Sequence, residues 1–280
     1  MTVGLLTITH DEPETLPAML ASVRDLITGP TLAFHIGERD ETEEILREWG
    51  AEVHRKTWDG FDGSWTQLFA LAQGRADRWL YMQANSTLQA EPLPDLADTP
   101  CFMVRYRRGP YEYRLPNLLR GDIEWVINAP VHGTLEPSFF EERRNLDALI
   151  VQESDADGRR PEKLARYLPI CEQMVKDNPT PRAVFYLART YFDLGRFKEA
   201  IEHYDWRIRL GGWDEEQWHA MYMRGVALIR LARFAEGRAA LLAAYNFRPT
   251  RAEPLHAICK SMHPPGDDLL FIEHDVYASL

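Results

Sequence analysis

Short apolar runs alternate with helix-spaced apolar stripes through the first ninety residues. Residues 3–9 (VGLLTIT) make a β-rich run, after which Leu16, Met19, Leu20, Val23, Leu26 and Ile27 recur at helical spacing. A second run, TLAFHIG at 31–37, precedes ERDETEEILREWG, where Asp40 with Glu43 predicts a capping box and Gly50 a helix C-cap. AEVHRKTW (51–58) reads as a third strand, SWTQLFALAQG (64–74) as a helix, and RWLYMQA (78–84) as a strand buried on both faces. This alternation predicts an α/β layer built on a mostly parallel sheet flanked by helices. Past the proline-rich EPLPDLADTP (91–100), CFMVRYRR and YEYRLPNLL read as a strand pair turning at Gly109-Pro110, a mixed extension of the sheet.

From about residue 160 the pattern is helical throughout, with Pro169 expected to kink or divide PEKLARYLPICEQMVKDN. DLGRFKEA (193–200) returns as RLARFAEG (230–237), an offset of 37 residues that matches Leu194 with Leu231, Arg196 with Arg233, Phe197 with Phe234 and Glu199 with Glu236. The offset is close to the ~34-residue tetratricopeptide period, and Leu187, Ala188, Tyr191, Gly195, Ala200 and Tyr204 fit that pattern. The expected organisation is an α/β domain over 1–150, a connecting helix region over 151–180, an all-α tetratricopeptide-like repeat domain over 181–250 and a capping tail over 251–280. The acids of WDEE (213–216) suit a helix start.

Composition narrows the function classes. Of 280 residues 45% are apolar, 27% charged and 11% aromatic, which describes a folded chain rather than a disordered one. Thirty-two basic against 43 acidic residues leave a net charge of −11, which argues against long nucleic acid or an anionic membrane surface as a partner. Cys101, Cys171 and Cys259 are far apart and belong to no metal-ligand spacing, so they read as three buried thiols in a reducing compartment. No run approaches the ~18 apolar residues of a membrane span, and the opening lacks a basic leader, so a cytoplasmic location is expected.

Within this acidic chain, Arg105, Arg107, Arg108, Arg114 and Arg120 form a basic stretch whose guanidinium forks suit phosphate oxygens. Strand alternation puts Arg105 and Arg107 on one face and Arg108 on the other. Asp122, Glu124 and His132 follow as candidate general bases. The Gly37-Glu38 loop follows a strand's carboxyl end, where open α/β sheets place their ligands, while Asp40 reads first as a helix cap. Trp58, Phe61 and Trp65 flank a glycine-containing loop and suit either core packing or stacking on a base or sugar.

Several stretches together carry a resemblance: LLTITHDEPETLPAMLASV, HIGERDETEEI, LYMQANSTL, YRLPNLLR and APVHGTLE in the first half. SDADGRRPEKLARY, FYLARTYFDLGRFKEAIEHYDWRIRLGGWDEE, FRPTRAEPLHAI and DDLLFIEHDVY carry it in the second. The chain resembles, nearly end to end, bacterial and phage family 2-type glycosyltransferases of GT-A fold that carry a C-terminal tetratricopeptide region. The resemblance implies inverting transfer of one sugar from a nucleotide-diphosphate sugar to an unidentified acceptor, with a protein partner on the repeats. It assigns Thr9, His10 and Glu12 to donor binding. His35 stands where the family has its nucleotide-binding aspartate, with Gly37, Asp40 and Thr42 kept and Glu38 in the same loop.

The family's metal-holding Asp-x-Asp falls on Gln83-Ala84-Asn85. Mn²⁺ and Mg²⁺ favour anionic oxygen ligands, so two amides imply weak or no metal dependence. Arg114 and Arg120 match the family's Arg-Leu-Phe-Arg segment and would take over the diphosphate. His132 matches its Val-His-Glu segment, with Gly133 in place of the glutamate, and joins Asp122 and Glu124 as a catalytic candidate. Two functions follow: a sugar-nucleotide transferase that works without a strongly held metal, or an inactive transferase-like protein that binds partners through its repeats.

Overall fold

The structure, a computed structural model, describes residues 1–94, 96, 98–137, 142–153 and 161–262, the side chains of 161–163 excepted. The chain divides into two compact units, Met1–Gly158 and Arg159–Leu280. The first is a mixed α/β domain and the second an all-α helical repeat. Two stretches that carry the resemblance, 154–160 and 267–277, and the tail from 263 onward lie outside the described residues.

In the first unit, β1 (Val3–Thr9), α1 (Leu16–Val23), β2 (Thr31–His35), α2 (Asp40–Trp49), β3 (Glu52–Arg55), α3 (Gly60–Ala72) and β4 (Arg78–Gln83) alternate as expected. They are followed by β5 (Ser86–Ala90), β6 (Cys101–Arg108), β7 (Tyr111–Arg120), the short pair β8 (Val126–Ile127) and β9 (Leu135–Glu136), and β10 (Arg144–Glu153). Eight strands form one sheet in the order β3-β2-β1-β4-β7-β6-β10-β5. The first four run parallel, β7 is antiparallel to both β4 and β6, β10 is parallel to β6, and β5 closes the edge antiparallel to β10. The sheet is therefore mixed beyond β4.

Adjacent positions on β1 show how the layers form. Leu5 faces a core with Leu16, Met19 and Val23 of α1, while Leu6 faces one with Trp65, Leu68 and Phe69 of α3. Helices consequently cover both faces around β1, β2 and β4, which is why these strands are largely apolar on both sides, whereas the edge strand β3 is polar and mostly exposed. Helix α2 begins at Asp40 with Asp40, Glu41 and Glu43 in its first turn and ends on left-handed Gly50. The expected capping box is absent. Arg39 occupies the cap position without a side-chain bond, and the carboxylates of Asp40 and Glu43 instead engage Arg55 at the end of β3.

The second unit contains α4 (Pro161–Asp177), α5 (Pro181–Asp193), α6 (Phe197–Leu210), α7 (Asp214–Arg230), α8 (Phe234–Phe247) and α9 (Glu253–Lys260). Helix α4 continues through Pro169, so the proline does not divide it. Pro169 and Ala165, whose carbonyl loses its partner, are both on the exposed side, where water can satisfy that oxygen. Cys101 and Cys171 are buried, but Cys259, on the outer side of α9, is exposed.

The internal repeat is reproduced at atomic detail. Arg196 and Arg233 occupy equivalent N-cap positions with nearly identical dihedrals, and each pairs with the glutamate three residues on, Glu199 or Glu236. The offset of 37 exceeds the usual period because α7 has 17 residues where α5 has 13. The extra turn is tied on both sides. Glu216 takes the guanidinium of wholly buried Arg207 at 2.8 Å, and Arg207 also donates to the carbonyls of Gly211 and Trp213, while Glu215 engages Arg248 and Arg251. Removing one partner of such a buried pair costs about 3–5 kcal/mol because the other charge is left uncompensated.

Two predictions follow from this unit. Gly195 has φ 75° between α5 and α6, and Ala232 holds the equivalent position with φ 58°, a conformation that costs a side-chain-bearing residue about 1 kcal/mol. Ala232→Gly should therefore stabilise the repeat by about 0.5–1 kcal/mol and Gly195→Ala destabilise it similarly in urea unfolding. His219 sits among Phe185, Trp218 and Tyr222, and burial, reinforced by Arg189 and Arg251, lowers its pKa from 6.5 to about 4. The unfolded chain then binds that proton first, so stability is complete above pH 6.5 and falls by about 3 kcal/mol as pH drops towards 4. His219→Phe should flatten that part of the stability profile.

Candidate ligand-binding edge of the sheet

Register places the ends of three neighbouring strands together. Thr9 pairs with His35 across β1 and β2, and Ile8 pairs with Gln83 across β1 and β4, so Thr9, His35 and Gln83 end adjacent parallel strands about 4.8 Å apart. His10 and Glu12 follow Thr9, Gly37 and Glu38 follow His35, and Asn85 follows Gln83. Eight of the residues expected at the donor site are thus gathered along one edge.

Their local chemistry differs from residue to residue. Thr9 and His35 are buried, with Thr9 Oγ1 3.2 Å from His35 Nδ1, and His35 Nε2 has no hydrogen-bond partner. Burial and the nearby Arg55 hold His35 below its ordinary pKa, favouring the neutral imidazole in the position the resemblance gives to a carboxylate. His10 is exposed, and its backbone N–H donates to Glu12 Oε2 at 2.9 Å. Glu38 and Gln83 are exposed and Asn85 is half-buried in the tight turn between β4 and β5.

The two loops of this edge are locked by a residue that the sequence reading passed over. Asp11 Oδ1 accepts the backbone N–H of Arg39 at 2.7 Å, and a Cβ added at Gly37 would lie 2.2 Å from that oxygen and 2.3 Å from His10 O. Burial opposes the charge on Asp11, but the Arg39 amide and His10 outweigh it and hold the carboxyl below its usual range. The signal was the acid in THDE, but its role depends on the β1–β2 register.

The arginines divide between two ends of the sheet. Arg114 on β7 lies directly opposite Arg105 on β6, and both engage Asp147, while Arg105 and Arg107 also meet Glu112. Arg114 in turn lowers the pKa of Asp147. Arg120 is opposite Arg78, the first residue of β4, where it binds Asp98 at 2.6 Å and Asp122 at 2.7 Å. Because β7 runs antiparallel to β4, Arg120 and Asp122 stand at the amino edge, about 17 Å along β4 from Gln83. Arg120 therefore does not join Arg114 on a common phosphate, and Asp122 is not at the Gln83 edge.

Among the other candidates, Glu124 is exposed in the connection after β7, beside Trp125, whose indole donates to Arg120 O. His132 is exposed in the β8–β9 turn with φ 55°. That hairpin is tied to α3 by Ile127 N–H to Thr66 Oγ1 and by Phe61 N–H to Pro130 O, bringing its turn to the start of α3 beyond the carboxyl end of β3. A side chain at Gly133 would meet Ile127 Cγ2 at 2.6 Å and Ala129 O at 2.7 Å, so the turn excludes a glutamate there. Trp65 packs in the core with Phe69 and Tyr81, whereas Trp58 remains partly exposed, edge-on to Phe61. Among the described residues, no group of three or more His, Cys, Asp or Glu side chains is arranged to hold a metal.

Comparison with known proteins places the second unit firmly. The tetratricopeptide repeat family model matches residues 172–205 and 185–254. A TPR repeat-containing protein of Synechococcus elongatus is 30% identical over 147 residues, covering 49% of this chain and 36% of the relative. The chain thus spans about a third of that relative's length. Among solved structures, MamA MSR-1 C2 is 21% identical over 39% of this chain and 68% of its own, with a TM-score of 0.32. MamA from Desulfovibrio magneticus RS-1 is 19% identical over 36% and 54%, at a TM-score of 0.30. GalNAc-T7, solved with UDP, GalNAc and Mn²⁺, is 15% identical over 42% of this chain and 25% of its own, at a TM-score of 0.32. The protein thus has a mixed α/β domain followed by an all-α repeat of tetratricopeptide architecture. No described helix is long and apolar enough to cross a membrane.

The locked loops predict a local stability effect. Gly37→Ala should cost about 1–3 kcal/mol, because the new methyl displaces either Asp11 or the His10 peptide. Urea unfolding of the purified variant measures this, and Gly37→Ala combined with Asp11→Ala should recover part of the loss.

Proposed function

We propose that the protein is a binding protein, in which a transferase-like α/β domain is joined to a helical repeat that holds a protein partner. The observation that carries this reading is the pair of neutral amides, Gln83 and Asn85, at the end of β4. A diphosphate brought to the end of β4 would meet these two amides where the resemblance expects metal-holding carboxylates. Arg39 and Arg55 at this edge are engaged by Glu14 and Glu41 and by Asp40 and Glu43, and Arg105 and Arg114 are engaged by Asp147. Drawing them to a phosphate would require breaking those ion pairs, so their electrostatic benefit is reduced. The match of the second unit to the tetratricopeptide repeat model supports partner binding through the repeats.

A second reading, a metal-independent sugar-nucleotide transferase, is favoured by the gathering of Thr9, His10, Glu12, His35, Gly37 and Glu38 beside the two amides. In that reading the loop amides and His35 hold the nucleotide, Arg114 offsets the diphosphate charge and His132 takes the acceptor proton.

A thermal-shift series with UDP-, GDP-, TDP- and CDP-sugars, each with Mn²⁺ and with EDTA, separates the readings. A ligand at 100 times its Kd adds about 2.7 kcal/mol, or roughly 5–10 °C for a domain of this size. The binding-protein reading expects no shift from any nucleotide sugar. A selective shift that survives EDTA would transfer the weight to the transferase, and one needing Mn²⁺ would overturn the argument from the amides.

A further inference from the structure

Strand β7 carries an open edge. It is bonded to β4 only at Leu118–Arg120, and the two strands part where the side chain of Asn117 takes over, its Nδ2 donating to Tyr81 O at 2.8 Å. From Tyr111 to Leu115 the strand pairs with β6 on one side, and among the described residues no strand or main-chain bond occupies the other. The hairpin turns through Gly109 and Pro110 and closes on the pair Arg108 and Tyr111. In such a two-residue hairpin the closing pair is hydrogen-bonded and pairs then alternate, so Glu112 and Arg114 turn their N–H and C=O groups outward. Arg107, opposite Glu112, agrees with this phase, because its carbonyl faces away from β7 and accepts from Gln152 Nε2 at 3.0 Å.

This edge is short and complementary to itself. Pro110 and Pro116 have no N–H to donate, so pairing cannot extend past either end. On the face opposite Glu112 and Arg114, the side chains of Tyr111, Tyr113 and Leu115 are 72%, 39% and 39% exposed. An edge blunted against association carries like charges that repel a second strand, whereas Glu112 and Arg114 are opposite in sign and two residues apart. In an antiparallel pair centred on Tyr113, Glu112 lies opposite the partner's Arg114 and Arg114 opposite the partner's Glu112, and the two pairs exchange all the outward main-chain bonds. Tyr113 then meets the partner's Tyr113 on the axis, and Tyr111 meets the partner's Leu115. Moving the centre to position 112 or 114 would set Glu112 or Arg114 against its own copy, so charge selects the register. We infer that the free edge of β7 is the contact of a two-fold dimer, formed with a second copy of this chain by antiparallel pairing of Tyr111–Leu115 about Tyr113.

The pairing leaves the existing ion pairs in place. Glu112 meets Arg105 and Arg107 across β6, and the partner strand approaches from the other side of β7, so Glu112 becomes flanked by guanidinium groups on both sides. Arg114 keeps Asp147 and gains the partner's Glu112. The same contact removes Tyr111 and Leu115 from water. Five residues a side make an interface below the roughly 1,200 Å² of standard stable complexes, so the dimer forms by mass action at micromolar concentrations. The contact is isologous and depends on neither functional reading.

Sedimentation velocity of the full 280-residue chain, over about 1 to about 500 µM, should show concentration-dependent dimerisation. Glu112→Arg sets arginine against arginine in both symmetric pairs, and Arg114→Glu sets glutamate against glutamate. Either variant alone should therefore associate at least about tenfold more weakly. An equimolar mixture of the two variants restores opposite charges at both positions of a mixed dimer and should recover the association, which a folding defect in either variant would not allow. A second readout is independent of charge. In a Cys259→Ser background, which leaves only the buried Cys101 and Cys171, Tyr113→Cys oxidised with diamide should link two copies. A non-hydrogen-bonded antiparallel pair brings its Cα atoms to about 4.5 Å, within disulfide reach, whereas Leu115→Cys should not link. A chain that stays monomeric throughout the series overturns the inference. So does association that survives both single reversals, a mixture no stronger than its components, or equal linking at positions 113 and 115.

Discussion

Parallel pairing of β1 with β2 and β4 is the constraint on which the α/β domain's chemistry depends. Parallel strands send all their carboxyl ends the same way, so Thr9, His35 and Gln83, far apart in sequence, finish side by side. The same pairing, followed by a reversal at β7, sends Arg120 and Asp122 the other way. Whatever the domain binds at the Gln83 edge, it binds without those two residues. The loops above the strands are then fitted to one another by Asp11 and Gly37, leaving no room for a side chain between them.

Charge pairing bears on the functional readings alongside residue identity. An arginine-rich stretch in an acidic protein looks like a phosphate cradle when written as a string. In the folded domain the stretch is distributed over two strands and shared with Glu112, Asp147, Asp98 and Asp122. Exposed pairs of this kind contribute little to stability, but they occupy the guanidinium forks that a diphosphate would need. With amides at Gln83 and Asn85, the edge is better equipped for hydrogen bonding than for holding highly charged groups.

The helical half was the more legible in sequence because a repeat states its own contacts twice. Arg196-Phe197 with Glu199 and Arg233-Phe234 with Glu236 are local motifs, complete within four residues. The parallel strands were legible for a similar reason, since each carries its apolar pattern within its own span. Strands β5 and β10 were not read, as STLQA is mostly polar and β10 changes register between Leu146 and Ile150, which interrupts its alternation. The Asp40–Glu43 pattern was misleading because a long-range partner, Arg55, competes for both carboxylates. The roles of Asp11, Arg120 and Gly133 depend on strand register or hairpin packing, and no local pattern records them.

The extra turn of α7 connects these two levels of description. An offset of 37 could be absorbed by a longer loop, which would leave the two helix pairs loosely related. Here it is absorbed as helix, and the added residues carry the acids that fasten it: Glu216 on buried Arg207 towards α6, and Glu215 on Arg248 and Arg251 towards α9. Arg251 also covers the ring of Trp218, its guanidinium carbon 3.9 Å from the ring centre. One turn of helix thereby ties α7 both to α6 and to the connection between α8 and α9, contacts that the repeat motif itself does not carry.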